Sequence, residues 1–235
     1  MNKLAIDTSN QVLGIAIMQN EQLVAEIITN IKKDHSSRLM PSIVQIMEHV
    51  GMEADELDQI IVANGPGSYT GTRIGVTTAK TLAWALNIPI YGVSSLDVVA
   101  FNGKSFKGYI CPFFDARRQT VFTSLVKWEN EQLKKIYDES NISMDSWLLK
   151  LSELNSKILF LSPHMTVFRE MIRSTLEDQA VIINNFDHLP RPSNLFKLSE
   201  QDNDTPVHHV NPNYLRLTEA EVNWLKHQRE DHHHG

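Results

Sequence analysis

Ile60-Ile61-Val62-Ala63-Asn64-Gly65-Pro66-Gly67-Ser68-Tyr69-Thr70-Gly71-Thr72-Arg73-Ile74-Gly75 is the stretch on which the fold turns. Its first four residues are apolar and mostly β-branched, the composition of a buried strand. The Asn-Gly-Pro-Gly-Ser run after them is turn chemistry. From Thr72 the period becomes helical, with Ile74, Thr78, Leu82 and Ala85 on one face over residues 72–86. Val76, Ala79, Ala83 and Leu86 widen that face, and charge keeps to a line through Arg73 and Lys80. A strand feeding a helix through a glycine turn is the unit of an α/β architecture, and the turn sits at the sheet end where ligands and partners dock. A helix so apolar all round is expected to be covered on more than one side.

Upstream, residues 3–29 read as three strands in an antiparallel meander. Residues 4–6 close on the turn Asp7-Thr8-Ser9-Asn10, residues 12–18 follow, and Gln19-Asn20-Glu21-Gln22 turns into residues 23–29. Over residues 36–50, Leu39, Ile43, Ile46, Met47 and Val50 recur at helical spacing. Ser36 or Ser37 would cap this helix, Gly51 would end it, and Pro41 places its regular part close to residue 41. Downstream, residues 88–93 return as a strand and Ser94-Ser95-Leu96-Asp97 opens a short helix. Composition shifts near Asn102-Gly103-Lys104, so residues 1–103 and 104–235 are expected to be separate lobes. In the second, residues 109–114 and 120–126 pair around Asp115-Ala116-Arg117-Arg118. A helix near 144–151, a strand at 158–161, a helix near 167–176 and a strand at 181–183 complete it. Strands then helices in both halves suggest a structural echo, and from Asp187 the chain reads as irregular.

The 235 residues are 42% hydrophobic and 21% charged, an ordinary globular balance. The 28 acidic residues outnumber 22 basic ones for a net charge of −6, which argues against a chain that grips RNA unaided. No apolar run approaches the roughly 18 residues of a membrane helix. The N-terminus reaches Asp7 too soon for a signal peptide, so a cytoplasmic location is expected. The one cysteine, Cys111, suits a reducing compartment and reads as a small buried apolar residue.

Two polar stretches could carry chemistry. Backbone amides of the glycine turn could attract an anion, but the P-loop spacing is missing. The alternative is a tight turn in which Gly71 and Gly75 permit close helix packing. Asp7 at a strand end, with the Thr8 and Ser9 hydroxyls, could hold a metal-bound water beside a phosphate, and an ordinary polar turn explains the same residues equally well. Asp7, Thr8, Ser9, Gly67 and Ser68 are therefore the candidate cofactor-binding residues, for an ATP-dependent phosphotransferase or ATPase of the sugar-kinase type. Ser68 does not match Gly-x-Ser-x-Gly, and spacing assigns it no base. His35, His49, His208-His209 and the terminal His232-His233-His234 lack metal-ligand spacing. No catalytic or metal residue is assigned.

The helix of residues 36–50 needs one covering surface, ordinarily its own sheet. The nearly all-apolar helix beside it tips the reading toward a bundle formed with another polypeptide.

The dodecamer 64–75 resembles the Gly-Pro-Gly-Ser-Phe/Tyr-Thr-Gly-x-Arg-Ile-Gly block of the TsaB (YeaZ) family. Leu4-Ala5-Ile6-Asp7-Thr8-Ser9 is similar to the family opening. So are His35-Ser36 with Leu39, Pro41 and Ile43, Val93-Ser94-Ser95-Leu96, Asp115-Ala116-Arg117-Arg118 with Val121-Phe122, and Pro212 with Tyr214-Leu215-Arg216 and Glu219-Ala220-Glu221. The resemblance implies an α/β chain of the actin/Hsp70/sugar-kinase-like (ribonuclease H-like) fold in two related lobes. It implies a role in making threonylcarbamoyladenosine beside the anticodon of tRNAs that read codons beginning with A. In that pathway a separate synthase makes threonylcarbamoyl-AMP, the metal-bearing TsaD subunit transfers the group, and the ATPase TsaE joins. TsaB-like chains pair with TsaD, or with a second copy when alone, through their first two helices, and meet tRNA only through the complex. On this resemblance the partner-binding residues are Leu39, Ile43, Ile46, Met47, Val50, Arg73, Ile74, Thr77, Lys80 and Trp84. It implies no intrinsic cofactor, with ATP or ADP at the contact between subunits. The His-x-x-x-His of TsaD-like chains is missing, and the Asp7 turn has no glycine.

Overall fold

The computed structural model describes residues 1–31, 34–183, 185–200 and 210–215. Two five-stranded sheets carry them, and both are wound the same way. The first holds β1 (Asn2–Asp7), β2 (Val12–Gln19), β3 (Gln22–Asn30), β4 (Gln59–Ala63) and β5 (Ile90–Val93), in the order β3-β2-β1-β4-β5. β1 to β3 form the antiparallel meander, with Leu4 opposite Ile17, and β4 lies parallel to β1 with Leu4 opposite Ile60. The crossover helices are α1 (His35–Val50) and α2 (Tyr69–Leu86). After α3 (Ser95–Ala100) the pattern repeats. β6 (Tyr109–Asp115), β7 (Thr120–Glu129) and β8 (Gln132–Ser143) make a second meander. α4 (Met144–Ser152), β9 (Ile158–Leu161), α5 (Met165–Leu176) and β10 (Ala180–Ile182) follow, in the sheet order β10-β9-β6-β7-β8. This duplicated β-β-β-α-β-α-β arrangement is the two-lobed α/β fold that the resemblance implies.

Alternation along each strand assigns its two faces. In β1, Leu4 and Ile6 join Ile60, Val62, Leu39, Ile43, Ile46, Val76 and Ala79 in one core under α1 and α2. Ala5 faces the other way, with Ile61, Val98, Leu195 and Phe196. In the second lobe Cys111, Phe113 and Phe160 pack with Trp147 of α4 and Phe168 of α5. Ile110, Phe114 and Val126 face Leu96 and Val99 of α3, which sits where the sheets meet. Cys111 is fully buried, accepts a hydrogen bond from Trp147 Nε1 at 3.2 Å, and has its thiol pushed up to about 11 by burial.

The ends of the helices differ from expectation. α1 begins earlier than its serines suggest, because Asp34 caps it by accepting from Ser36 N at 3.0 Å. Pro41 therefore lies in the second turn, where it and Ser37, whose carbonyl loses its donor, are both exposed to water. Gly51 at φ 65° ends the helix. α2 starts at Tyr69, capped by Ser68 Oγ accepting from Gly71 N. It buries Gly71, Thr72, Gly75, Val76, Ala79 and Ala83 on one side only. Two-sided covering was expected because alanines and threonines count as apolar surface, yet they are small enough to leave the opposite face in water.

The chain after residue 103 does not all stay with the second sheet. α6 (Asn194–Ser199) packs Leu195, Phe196 and Leu198 on the first. Ser193 N and Oγ donate to Glu26 Oε1 at 3.0 and 2.5 Å, and Arg191 pairs with the same carboxylate. Phe196→Ala should destabilise the whole fold by roughly 3–5 kcal/mol, the usual cost of emptying an aromatic site. Urea unfolding followed by far-UV circular dichroism measures it. A second transition confined to part of the signal would show that the tail is a separate unit.

A polar cluster joins α3 to β8. Ser94 Oγ donates to Glu139 Oε1 at 2.5 Å, while Lys135 Nζ lies 3.0 Å from that atom and 3.6 Å from Asp97 Oδ2. Burial raises the Asp97 carboxyl to about 6, Lys135 opposes this, and Glu139 adds to it. The folded protein thus favours protonated Asp97. That contribution is complete below about pH 4 and is lost as pH rises through about 6. Measured against Asp97→Asn by denaturant titration, the wild-type chain should lose relative stability between those limits. A constant difference would exclude the linkage.

Candidate functional site

The ends of β1 and β4 bring the two candidate stretches together, and the chain fills the space between them itself. Thr8 Oγ1 donates to Gly71 O at 2.8 Å, and Ser68 N donates to Ser9 O at 2.6 Å. A β-carbon on Gly67 would run into the Ser9 carbonyl, one on Gly71 into the Thr8 carbonyl, and one on Gly75 would sit 2.5 Å from Thr8 Oγ1. The glycines exist here to let the start of α2 lie against the β1–β2 turn. Asp7, Thr8 and Ser9 are sealed beneath, and Ser9 donates both its N and Oγ to Asp7 Oδ1, at 2.9 and 2.7 Å. Burial raises the Asp7 carboxyl in spite of these two bonds. A triphosphate would need the positions that Gly67, Gly71 and the two hydroxyls occupy. Asp7, Thr8, Ser9 and Gly67 as nucleotide ligands are thus corrected: in this arrangement they form an internal joint. Ser68 is exposed, but its oxygen is spent as the cap of α2.

Between the lobes lies a cleft of about 820 Å³, lined among others by Asn10, Gln11, Tyr69, Arg117 and His164. Arg117, Arg118 and Gln119 all take left-handed backbone, at φ 65°, 52° and 60°. Such a run is uncommon for residues with a β-carbon. It is held by Ala116 N donating to Thr120 O at 2.9 Å and by Arg117 N donating to Asp115 Oδ1 at 2.8 Å. His164 Nδ1 accepts from Asp115 N, and burial lowers the ring's pKa, so the ring is neutral at pH 7. Among the described residues no three His, Cys, Asp or Glu side chains gather as a metal site would require.

The helices expected to meet a partner divide differently from the expectation. Leu39, Ile43, Ile46 and Met47 are buried against the chain's own sheet, at 1, 2, 2 and 8% exposure. The strongest apolar stripe of α1 is core, and its assignment to a partner is corrected. Val50 and Ile74 are half-buried at the seam between α1 and α2. Lys80 is half-buried too, and its Nζ is occupied by Val210 O at 3.1 Å. Arg73, Thr77 and Trp84 do face water, Trp84 at 81%. The outer face also holds Met40 and Val44, at 42 and 49%, which periodicity passed over because they lie off the main stripe. Their spacing of four, on the side opposite Leu39 and Ile43, was the available signal.

The sequence model of the family described as "TsaD: tRNA N6-adenosine threonylcarbamoyltransferase" matches residues 22–224. The tRNA threonylcarbamoyladenosine biosynthesis protein TsaB of Bacillus subtilis is 44% identical over 229 residues, 97% of this chain and all of the relative. The chain belongs to the TsaB family. The TsaB of Buchnera aphidicola from Acyrthosiphon pisum is 27% identical over 90% of this chain and 96% of its own length. The solved structure "YeaZ from Pseudomonas aeruginosa" superposes with a TM-score of 0.74 at 20% identity, covering 91% of this chain and 99% of that one. A second, described as similar to peptidase YEAZ, gives 0.78 at 20%, covering 92% and 99%. At that identity these two speak to the fold. The TsaB family is named for tRNA threonylcarbamoyladenosine biosynthesis. Of the motif at its C-terminal end, Pro212, Tyr214 and Leu215 are described, while Arg216 and Glu219 to Glu221 lie outside the described residues, as do His208-His209 and His232 to His234. No helix among the described residues is long and apolar enough to cross a membrane.

Neighbouring positions on α1 separate core from surface. Ile43→Asp should cost about 4 kcal/mol or more, because it buries an unpaired charge. Val44→Asp should stay within about 1 kcal/mol. Thermal melts of the two variants decide it, and equal losses would mean that the outer face of α1 is also interior.

Proposed function

We propose that this TsaB-family chain is a non-catalytic subunit that pairs with a TsaD-type transferase through the outer face of α1 and α2. The observation that carries the reading is that face itself: Met40 and Val44 on one helix, Trp84 on the next, all apolar and all in water. A tryptophan this exposed costs solvation and suits the centre of a protein contact. The inward faces of the same helices are already sealed on the sheet, so the pairing surface is rigid before a partner arrives. The joint between Asp7 and Gly71 supports a supporting role, since the groups that could hold a phosphate hold each other. The acidic balance agrees, because tRNA would be gripped by the partner. In this reading the chain works in the cytoplasm, brings no cofactor of its own, and leaves ATP to a TsaE-type ATPase and the contact between subunits. Alone, it pairs with a second copy through the same face.

Trp84→Glu should abolish the heterodimer while leaving the melting temperature of the isolated chain within a few degrees, since a surface change far from the core costs little. Size-exclusion chromatography with light scattering, run with a co-purified TsaD-type subunit, reads the result. Unchanged pairing would remove the proposal. ATP turnover by the lone chain, lost in Asp7→Ala, would move the assignment to a sugar-kinase type of enzyme.

A further inference from the structure

Residues 210–215 cross the joint as a strap, and their anchors make that strap part of the rigid body. Asn213 N donates to Asn64 O at 2.7 Å, Lys80 Nζ to Val210 O at 3.1 Å, and Asn213 Nδ2 to Glu139 Oε2 at 2.8 Å. The strap thereby touches the turn before α2, the body of α2 and the edge strand of the second lobe. None of these bonds uses the Tyr214 side chain, which is set on top with 43% of its surface exposed. Its ring lies 4.8 Å from that of Tyr69, tilted 30°, and Tyr69 is itself 41% exposed. Arg73 completes the stack, with Cζ 4.9 Å from the Tyr69 centroid and NH1 donating to the Tyr69 hydroxyl at 2.8 Å.

Tyr69, Arg73, Thr77 and Trp84 fall on one drifting stripe of α2, about 22 Å long at 1.5 Å per residue. Tyr214 adds an aromatic residue from outside the helix to one end of it. We infer that Tyr214 and its strap belong to the surface that receives the transferase subunit, extending it past the two helices. The inference rests on the pairing proposed above. Tyrosine, tryptophan and arginine are the side chains that carry most binding energy in protein interfaces. A rigid tyrosine that is already stacked loses little freedom when it is covered. An RNA strand is the competing occupant for a stacked aromatic with an arginine, but the chain's excess of negative charge favours a protein there.

Because the strap is held by main-chain groups and Asn213, Tyr214→Ala should keep the fold. Calorimetric titration of each variant with the TsaD-type subunit gives Kd. Tyr214→Ala is expected to weaken pairing about tenfold, a typical loss for an aromatic anchor, and Tyr214→Phe to restore it nearly to the wild-type value. A Kd for Tyr214→Ala equal to wild type, with pairing otherwise intact, overturns the inference and leaves the helical interface standing. Unchanged pairing together with weaker tRNA binding by the assembled pair overturns it in favour of RNA. A wild-type chain that does not pair at all removes both proposals.

Discussion

The start of α2 lies directly on the turn between β1 and β2, and most of the first lobe follows from that contact. Gly67 and Gly71 have no β-carbon because backbone carbonyls of Ser9 and Thr8 stand where one would be. Thr8 Oγ1 returns a hydrogen bond to Gly71 O, and Ser68 both caps the helix and donates its own N–H to Ser9. With α2 fixed at this end, its small residues Gly75, Ala79 and Ala83 set the distance to the sheet, and α1 packs alongside. The same closeness excludes a ligand from the joint. Scaffold and phosphate pocket are competing uses of one space, and here the scaffold has it.

Duplication makes the comparison internal. β1 and β6 both end in aspartate, Asp7 and Asp115, and both lead into a turn before an antiparallel partner strand. In the first lobe the turn is clamped by α2. In the second it stands at the cleft, with three left-handed residues and Arg117 at its tip. The corresponding loop before α5 is Ser162-Pro163-His164, which has no glycine to let a helix start approach so closely. The two halves share a winding and have diverged at the position where their chemistry would lie.

Much of this was legible in the sequence, and the gaps have physical causes. The meander at the N-terminus, both crossover helices and the return strands follow from apolar periodicity and turn residues. β8 was missed because Gln132–Ser143 is an edge strand, largely half-exposed, so no alternation survives in residues such as Lys134, Lys135, Asp138 and Glu139. α6 was missed because six residues in a Pro- and Asn-rich tail carry too little pattern, although Leu195, Phe196 and Leu198 anchor it. The larger error lay in the site. Periodicity identifies the apolar stripe of a helix but not what covers it, and Leu39, Ile43, Ile46 and Met47 were assigned outward when their own sheet had room for them. The residues left in water, Met40, Val44 and Trp84, were visible only by subtraction, once the interior was known.

That subtraction gives the outer face its meaning. A helix that must pack inward spends its best apolar residues there, and solubility alone would then select charged residues for the remaining positions. α1 does so in part, with Gln45, Glu48 and His49 exposed. α2 does not: Thr77, Thr81, Trp84 and Ala85 leave Arg73 as the charge on its exposed side. The sheet beneath gains nothing from Trp84, and neither does the cap of the helix, which Asn87 supplies. A residue that serves no internal contact and is costly in water is accounted for by a second surface, and the rigidity of the joint under α2 means that such a surface would meet the stripe already in place.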